Sequence, residues 1–283
     1  MFPISDPSGR VVAFSGRTLK QDDKVPKYVN SPETELFQKS EILYGYDKAK
    51  QGIRHYDFSL IVEGQFDVVL SHQAGYHNAV AVSGTALTLH HIMLLSRLSH
   101  KAVLALDADR AGVSAVKRSS EPMLAKGMDV KVVHMPNGKD PADIIKEDPK
   151  RFKKIVGQAE HVISFLLQHL KTEVKDMRTY KLRTREEILP LVLAIPNHID
   201  REHFEIVIAE AIETPKDTIH YELERIADER ARELTIDRAA TEERTRVDPG
   251  ERKRNLIVHL LGCVEVLKDT HAQASSLTKK HLD

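Results

Sequence analysis

The feature that most constrains the fold is a regular alternation of short apolar segments and longer amphipathic segments between residues 58 and 145. The predicted strands are FSLIVEG, NAVAVSG, KAVLALDAD and MDVKVVHM, and a predicted helix follows each of the first three. Apolar strands separated by helices pair in parallel, within a sheet that helices cover on both faces. The sequence therefore predicts an α/β fold with a parallel sheet flanked by helices.

The segments on either side follow other patterns. FPISD and RVVAFSGRTL are predicted as two short strands joined by a turn at Pro7–Gly9, and a helix is predicted to begin at Ser31, where a hydroxyl N-cap precedes a proline and two acids. From about residue 150 apolar residues recur at three- and four-residue spacing, which is typical of helices, with a break expected at Pro190. Residues 228–254 hold eight acids and eight bases, which favours a solvated helix or tether.

Composition excludes several classes of protein. The net charge is zero, so any basic binding surface must be local. The single Cys263 argues against a disulfide framework or a cysteine-rich zinc site and is expected to be a small buried side chain. No apolar run reaches a membrane span, and the first residues lack a signal-peptide pattern, so we expect a cytoplasmic protein that does not bind membranes. His72, His77, His90 and His91 are expected on the surface.

Acidic residues collect where the predicted strands end. Glu63 closes IVEG and Asp67 follows one helical turn later, Asp107 and Asp109 close ALDAD, and NGKDPAD brings two more acids. In open parallel sheets ligands bind at the carboxyl ends of strands, and so many like charges are tolerable when they share a hard cation such as Mg²⁺. The alternative is that each acid only caps a helix or forms a turn. The predicted metal-site residues are Glu63, Asp67, Asp107, Asp109, Asp140 and Asp143.

These motifs also resemble a known family. Glu63-Gly64, Asp107-x-Asp109-x-Ala111-Gly112 and Asp140-Pro141 resemble the Toprim domain. About residues 1–230 resemble the RNA polymerase core of DnaG-type bacterial primases. The segments that carry this resemblance are, in order, FPISDPSGRVVAFSGRTL, PKYVNSPETELFQKSEILYG, VEGQFDVV and SGTALT.

The resemblance implies a division of the chain. It predicts a partial α+β N-terminal lobe, a Toprim-type catalytic domain, a helical C-terminal subdomain, and a charged tether that leads into a helicase-interaction region. The predicted bounds are 1–55, 56–147, 148–232 and 233–283. It also implies that the family's zinc module and the rest of the basic lobe are absent from this chain.

The resemblance further implies an activity, namely the synthesis of short RNA primers on single-stranded DNA by metal-dependent nucleotidyl transfer. It assigns catalysis to Glu63, Asp107 and Asp109, with Mg²⁺ or possibly Mn²⁺ as the cofactor. The family usually carries a second Asp where this chain has Ala142, followed by Asp143. The residues implied in nucleotide and template binding are Arg17, Lys27, Asn30, Lys39, Gly84 and Thr85.

Alternatives exist for single residues and for the whole chain. Lys39 also fits a solvated surface charge, and Gly84-Thr85 also fits a helix cap. The implied partners are single-stranded DNA, ribonucleoside triphosphates, a replicative helicase and a single-strand binding protein, at the replication fork in the nucleoid. A Toprim nuclease that uses the same acids, or a helicase-binding adaptor with weak catalysis, are the competing interpretations.

Overall fold

A computed structural model describes residues 1–18, 28–82, 84–106, 110–136, 138–245, 253–254 and 257–261. The chain divides into two compact units, Met1–Glu224 and Arg225–Asp283. Cys263 and the turn predicted at Asp248-Pro249-Gly250 lie outside the described residues. Among the described residues, no helix is both long enough and apolar enough to cross a membrane.

The first unit begins with a small antiparallel sheet. Its strands are β1 (Phe2–Ser5), β2 (Val11–Arg17) and β3 (Tyr28–Asn30), in the order β1-β2-β3. The predicted hairpin is confirmed, and Asp6 closes its turn by accepting the backbone N–H groups of Ser8 and Arg10 at 2.8 and 3.0 Å. The third strand was not predicted.

The prediction of a helix beginning at Ser31 is wrong. The Ser31 hydroxyl accepts the Phe14 N–H at 3.0 Å and donates to the Phe14 carbonyl oxygen at 3.1 Å, so it extends the contact with β2 instead of capping a helix. Glu33 accepts the backbone N–H of Lys39 at 3.0 Å in the same loop. These side chains give the backbone an alternative to helical hydrogen bonds. The helix α1 (Tyr46–Tyr56) starts only after Gly45, whose φ is +79°.

The centre of this unit is a five-stranded sheet. Its strands in chain order are β4 (Ser59–Val62), β5 (Ala79–Ala81), β6 (Lys101–Leu104), β7 (Asp129–Val132) and β8 (Glu160–His161), arranged β5-β4-β6-β7-β8. The first four are parallel, as predicted, and every residue of β4 and β5 is buried. Strand β8 is an antiparallel edge strand that was not predicted.

Helices surround this sheet and continue beyond it. The helices that follow strands are α2 (Gln65–Gln73), α3 (Leu89–Ser96), α4 (Arg110–Ala125) and α5 (Pro141–Glu147). The remaining helices are α6 (Pro149–Gly157), α7 (Val162–Glu173), α8 (Met177–Glu187), α9 (Leu189–Leu193), α10 (His198–Ala211) and α11 (Lys216–Thr245).

Two predictions about the helical region have different outcomes. The stretch RFKKIVGQAEHVISFLLQHL is not continuously helical, because α6 ends at Gly157 and β8 pairs with β7 before α7 begins. The break predicted at Pro190 is confirmed: α8 ends at Glu187, and the proline occupies the first turn of α9, where no helical N–H is required.

The prediction that the histidines lie on the surface is wrong for His91 and His72. His91 is fully buried, and its Nδ1 faces the Thr88 N–H at 3.3 Å, while His72 is partly buried with Nε2 2.9 Å from the Ala79 carbonyl oxygen. Burial lowers the pKa of His91 to about 4, so its ring is neutral near pH 7. His77 and His90 are exposed as expected.

Candidate active site at the carboxyl edge of the parallel sheet

A cleft of about 650 Å³ opens at the carboxyl ends of the parallel strands. Ile61, Leu104 and Leu106 line it from the strands or directly after them. Parallel strands place their carboxyl ends at one edge, which is where open α/β sheets bind ligands. The structure therefore has a cleft at the edge of the sheet where the sequence predicted the site.

Glu63 and Asp67 line this cleft in different ways. Glu63 directly follows β4 and is half-buried. Asp67 is only 6% exposed, and each of its oxygens accepts a backbone N–H: Oδ2 from Gly64 at 3.0 Å and Oδ1 from Ala142 at 3.1 Å. The Asp67 carboxylate therefore joins the N-terminus of α2 to that of α5, where helix dipoles favour negative charge.

Asp140 and Asp143 line the same cleft from the start of α5. Asp140 is the N-cap of this helix, and its Oδ1 accepts the Asp143 N–H at 2.7 Å. The Asp143 carboxylate lies 3.9 Å from the Lys146 Nζ. Ala142, where the resemblance implies an acid, is buried, and Asp143 is the second acid of this segment that lines the cleft.

Three residues predicted for the site, Lys27, Asp107 and Asp109, lie outside the described residues. Within the described ranges, no group of three or more His, Cys, Asp or Glu side chains could hold a metal ion. The structure thus brings four of the six predicted acids, Glu63, Asp67, Asp140 and Asp143, to one cleft, and the metal site itself stays a prediction.

Arg17 lines the cleft beside two aromatic rings that the sequence reasoning did not single out. Its guanidinium carbon lies 4.5 Å from the centroid of the Phe66 ring and 5.7 Å from that of Tyr28. Burial raises the pKa of the Tyr28 hydroxyl, and the positive charge of Arg17 partly opposes this. Tyr28 lies within PKYVNSPET and Phe66 within EGQFD, and their places in these two motifs were the sequence signal that could have pointed to them.

Three of the remaining predicted binding residues, Asn30, Gly84 and Thr85, lie around one loop. Gly84 and Thr85 line the cleft, and a Cβ at Gly84 would lie 3.7 Å from Asn30 Nδ2, so Asn30 is adjacent. Gly84 has a φ of +82°, which a residue with a side chain rarely adopts. Thr85 does not cap a helix; Thr88 is the N-cap of α3, so the capping alternative for Gly84-Thr85 is wrong. Lys39 is not among the residues that line the cleft.

Helix α4 forms the remaining side of the cleft, and the sequence reasoning also missed it. Its contributing residues are Gly112, Ala115, Arg118 and Ser119, which recur at helical spacing. The predicted loop of Asp107 and Asp109 immediately precedes this helix in the chain.

Comparisons with known proteins agree with this architecture. Residues 1–50 match the family model of the DNA primase catalytic core, N-terminal domain, and residues 60–145 match a Toprim-like model. The DNA primase of Listeria monocytogenes is 34% identical over 229 residues, which cover 80% of this chain and 36% of that protein. The DNA primase of Deinococcus radiodurans is 46% identical over 146 residues, which cover 51% of this chain and 25% of that protein. The chain thus spans well under half the length of these curated relatives.

Solved structures give the same result in three dimensions. A DNA primase domain from Pseudomonas aeruginosa matches with a TM-score of 0.68 and 33% identity, over 79% of this chain and 71% of that one. The E. coli primase catalytic core matches with a TM-score of 0.66 and 34% identity, over 76% and 70%. A DnaG primase catalytic domain bound to single-stranded DNA matches with a TM-score of 0.67 and 34% identity, over 77% and 70%.

Proposed function

The chain belongs to the DnaG-type family of bacterial DNA primases, and on that premise we propose that its cleft joins ribonucleotides into short RNA primers on single-stranded DNA. The observation that carries this proposal is the placement of opposite charges. The acids Glu63, Asp140 and Asp143 line the same cleft as the bases Arg17 and Lys146. A substrate that is an anion and also binds cations, such as a nucleoside triphosphate or a nucleic-acid strand, satisfies both sets of charges.

Carboxylate oxygens are the ligands that a hard divalent cation prefers. The side chains of Glu63, Asp140 and Asp143 offer carboxylate oxygens, and none of the three is fully buried. We propose that Mg²⁺ or Mn²⁺ is held by these residues together with Asp107 and Asp109. When bound, the ion would neutralise charge on the phosphate oxygens and favour ionisation of the attacking hydroxyl. Asp67 fits a different role, because its two oxygens hold backbone N–H groups that position α2 and α5.

Different residues of the cleft have different roles in the transfer of the nucleotide. A 3′-hydroxyl attacks the α-phosphate of an incoming ribonucleoside triphosphate, and pyrophosphate leaves. Glu63, at the end of β4, either accepts the proton of that hydroxyl or binds the cation. Arg17 and Lys146 neutralise phosphate charge, while Thr85 and the backbone at Gly84 leave room for phosphate oxygens beside Asn30.

The proposal extends to the biological setting. A primase core acts on template DNA and ribonucleoside triphosphates at the replication fork, so we propose a replicative helicase and a single-strand binding protein as partners in the cytoplasm, at the nucleoid. The solved DnaG catalytic domain bound to single-stranded DNA supports the template strand as a ligand.

Primer synthesis tests the proposal directly. The parent chain is incubated with single-stranded DNA, ribonucleotides and Mg²⁺ or Mn²⁺, beside Glu63→Gln, and labelled products are resolved by length. We expect metal-dependent incorporation by the parent and none by Glu63→Gln. Single-stranded DNA binding without metal should be equal or tighter in this variant, because one negative charge near an anionic ligand is gone.

Other outcomes of this assay contradict the proposal. Incorporation that survives Glu63→Gln removes the catalytic assignment. Cleavage of DNA without ribonucleotides that Glu63→Gln abolishes indicates a nuclease. Binding of a replicative helicase by a parent chain that incorporates no nucleotide with either metal indicates an adaptor.

A further inference from the structure

One stripe of helix α4 faces the cleft. Gly112 and Ala115 leave space next to the strand ends, and Arg118 and Ser119 follow on the same stripe, because residues three and four apart share a helix face. Arg118 thus brings a positive charge to the side of the cleft that α4 forms.

Arg118 differs from the other basic side chains in its surroundings. Arg17 lies over the rings of Phe66 and Tyr28, and Lys146 lies 3.9 Å from the Asp143 carboxylate. Lys117, its neighbour in sequence, forms an ion pair with Glu187 of α8. Arg118 is exposed and makes no hydrogen bond, ion pair or ring contact within the described ranges.

Because Arg118 has no partner among the described residues, its charge is available to an anion. Its guanidinium presents a planar set of donors that matches two oxygens of a phosphate. Since the net charge of the chain is zero, each uncompensated base in the cleft matters for attracting a polyanion.

The position along α4 selects which phosphate Arg118 meets. It lies eight residues after Arg110, the first residue of the helix, and at 1.5 Å per residue this is about 12 Å along the helix axis from the start of α4. Phosphates of a helical strand recur about every 3.4 Å along the axis. A strand whose reacting end lies at the start of α4 would therefore bring its third or fourth phosphate to Arg118.

We propose that Arg118, with the Ser119 hydroxyl beside it, binds a backbone phosphate of the nucleic-acid strand a few nucleotides from the reacting end. This inference rests on the proposed function, since it requires a strand in the cleft. It assigns to α4 a role in holding the strand, separate from the acids and from the Arg17 side.

The salt dependence of binding tests this proposal. Affinity for fluorescently labelled single-stranded DNA is measured by anisotropy at several salt concentrations, without divalent metal, for the parent, Arg118→Gln, Arg118→Lys and Lys126→Gln. Lys126 is exposed just beyond the end of α4 and does not line the cleft, so it is the matched control.

We expect Arg118→Gln to weaken binding about tenfold at low salt, the effect of one charged contact. The slope of log affinity against log salt should fall by about 0.7, the value for one single-strand phosphate. Arg118→Lys should keep the slope and lose part of the affinity, and Lys126→Gln should match the parent. Equal slopes for the parent and Arg118→Gln would overturn the inference and leave the proposed function standing.

Steady-state primer synthesis separates the strand from the nucleotide. The KM for template should rise in Arg118→Gln while the KM for ribonucleotides stays within twofold. A rise confined to the ribonucleotide KM would overturn the assignment to a strand phosphate. A parent chain that neither binds DNA nor incorporates ribonucleotides contradicts the proposed function and the inference together.

Discussion

The two charged sides of the cleft differ in how firmly the protein holds them. On one side Asp67 binds two backbone N–H groups, and the Arg17 guanidinium lies over the Phe66 ring. On the other side Arg118 makes no hydrogen bond, ion pair or ring contact within the described part of the chain. Charges of the first kind contribute to the stability of the folded state as well as to binding, whereas a charge of the second kind affects binding alone.

The loop at Gly84–Leu87 belongs to the firmly held side. It leads into Thr88, whose hydroxyl donates to the Ser40 carbonyl oxygen at 2.6 Å and accepts the His91 N–H at 3.2 Å. His91 below it is fully buried. The cleft edge formed by this loop is thus fixed by α3 and by the segment that carries Ser40.

The largest expected effect is the response of this edge to pH. The pKa of His91 is about 4 in the folded chain, because burial disfavours the charged ring, and its ordinary value is 6.5. Above pH 6.5 the ring is neutral in both states; as the pH falls toward 4 the unfolded chain takes up a proton that the folded chain does not. The free energy of unfolding should therefore fall across this window, by up to about 3 kcal/mol from His91.

Denaturant unfolding of His91→Leu between pH 7 and 4 measures this contribution. Its absolute stability falls at every pH because the Thr88 N–H loses the Nδ1 acceptor, so the slope against pH is the quantity to compare. The variant should have a shallower slope than the parent. His90→Leu, at the exposed neighbouring position, should keep the parent slope. Identical slopes for all three chains would mean that the His91 ring takes up its proton at the same pH in the folded and the unfolded chain.

The second expected effect separates Asp67 from Glu63. Asp67→Asn turns one acceptor into an amide donor that faces a backbone N–H, so the free energy of unfolding should fall by about 1–3 kcal/mol. Glu63→Gln should change it by less than about 0.5 kcal/mol. Urea unfolding without divalent metal measures both. An Asp67→Asn variant with the same free energy of unfolding as the parent would contradict the two hydrogen bonds that define the positioning role of Asp67.

The part of the fold that sequence predicted best is the parallel sheet. Strands β4 and β5 consist almost entirely of buried apolar residues, and such runs between helices admit few other arrangements. Ser31 was mispredicted because a serine hydroxyl before Pro32 fits a helix cap and a bond to a strand equally well, and the choice depends on Phe14, seventeen residues away.

The sequence predicted where the candidate site lies better than it predicted the contacts of the individual side chains. Strand-end position was enough to bring Glu63 and Asp140 to one edge of the sheet. It did not reveal that Asp67 is committed to the N–H of Ala142, seventy-five positions along the chain. It also did not reveal that the Arg17 guanidinium lies over the Phe66 ring, because contacts between residues far apart in the sequence leave no periodic signal in it.

The smallest expected effect compares the two arginines. Arg17→Gln loses the contacts with two rings, so the free energy of unfolding should fall by about 0.5–1 kcal/mol. Arg118→Gln should change it by less than about 0.5 kcal/mol. If each arginine meets one strand phosphate, both variants should lower the salt slope of DNA binding by the same amount, about 0.7.

A double-mutant cycle with Phe66→Leu makes this comparison decisive. The effect of Arg17→Gln on stability should shrink in the Phe66→Leu background, because the ring that stabilised the guanidinium is gone, whereas the effect of Arg118→Gln should be unchanged. The salt slopes should stay additive in both pairs, since they count phosphates and not protein contacts. The coupling free energy between Arg118 and Phe66 could instead be as large as that between Arg17 and Phe66. Arg118 would then also depend on protein contacts for its position, and the distinction between a fixed and an available charge would fail.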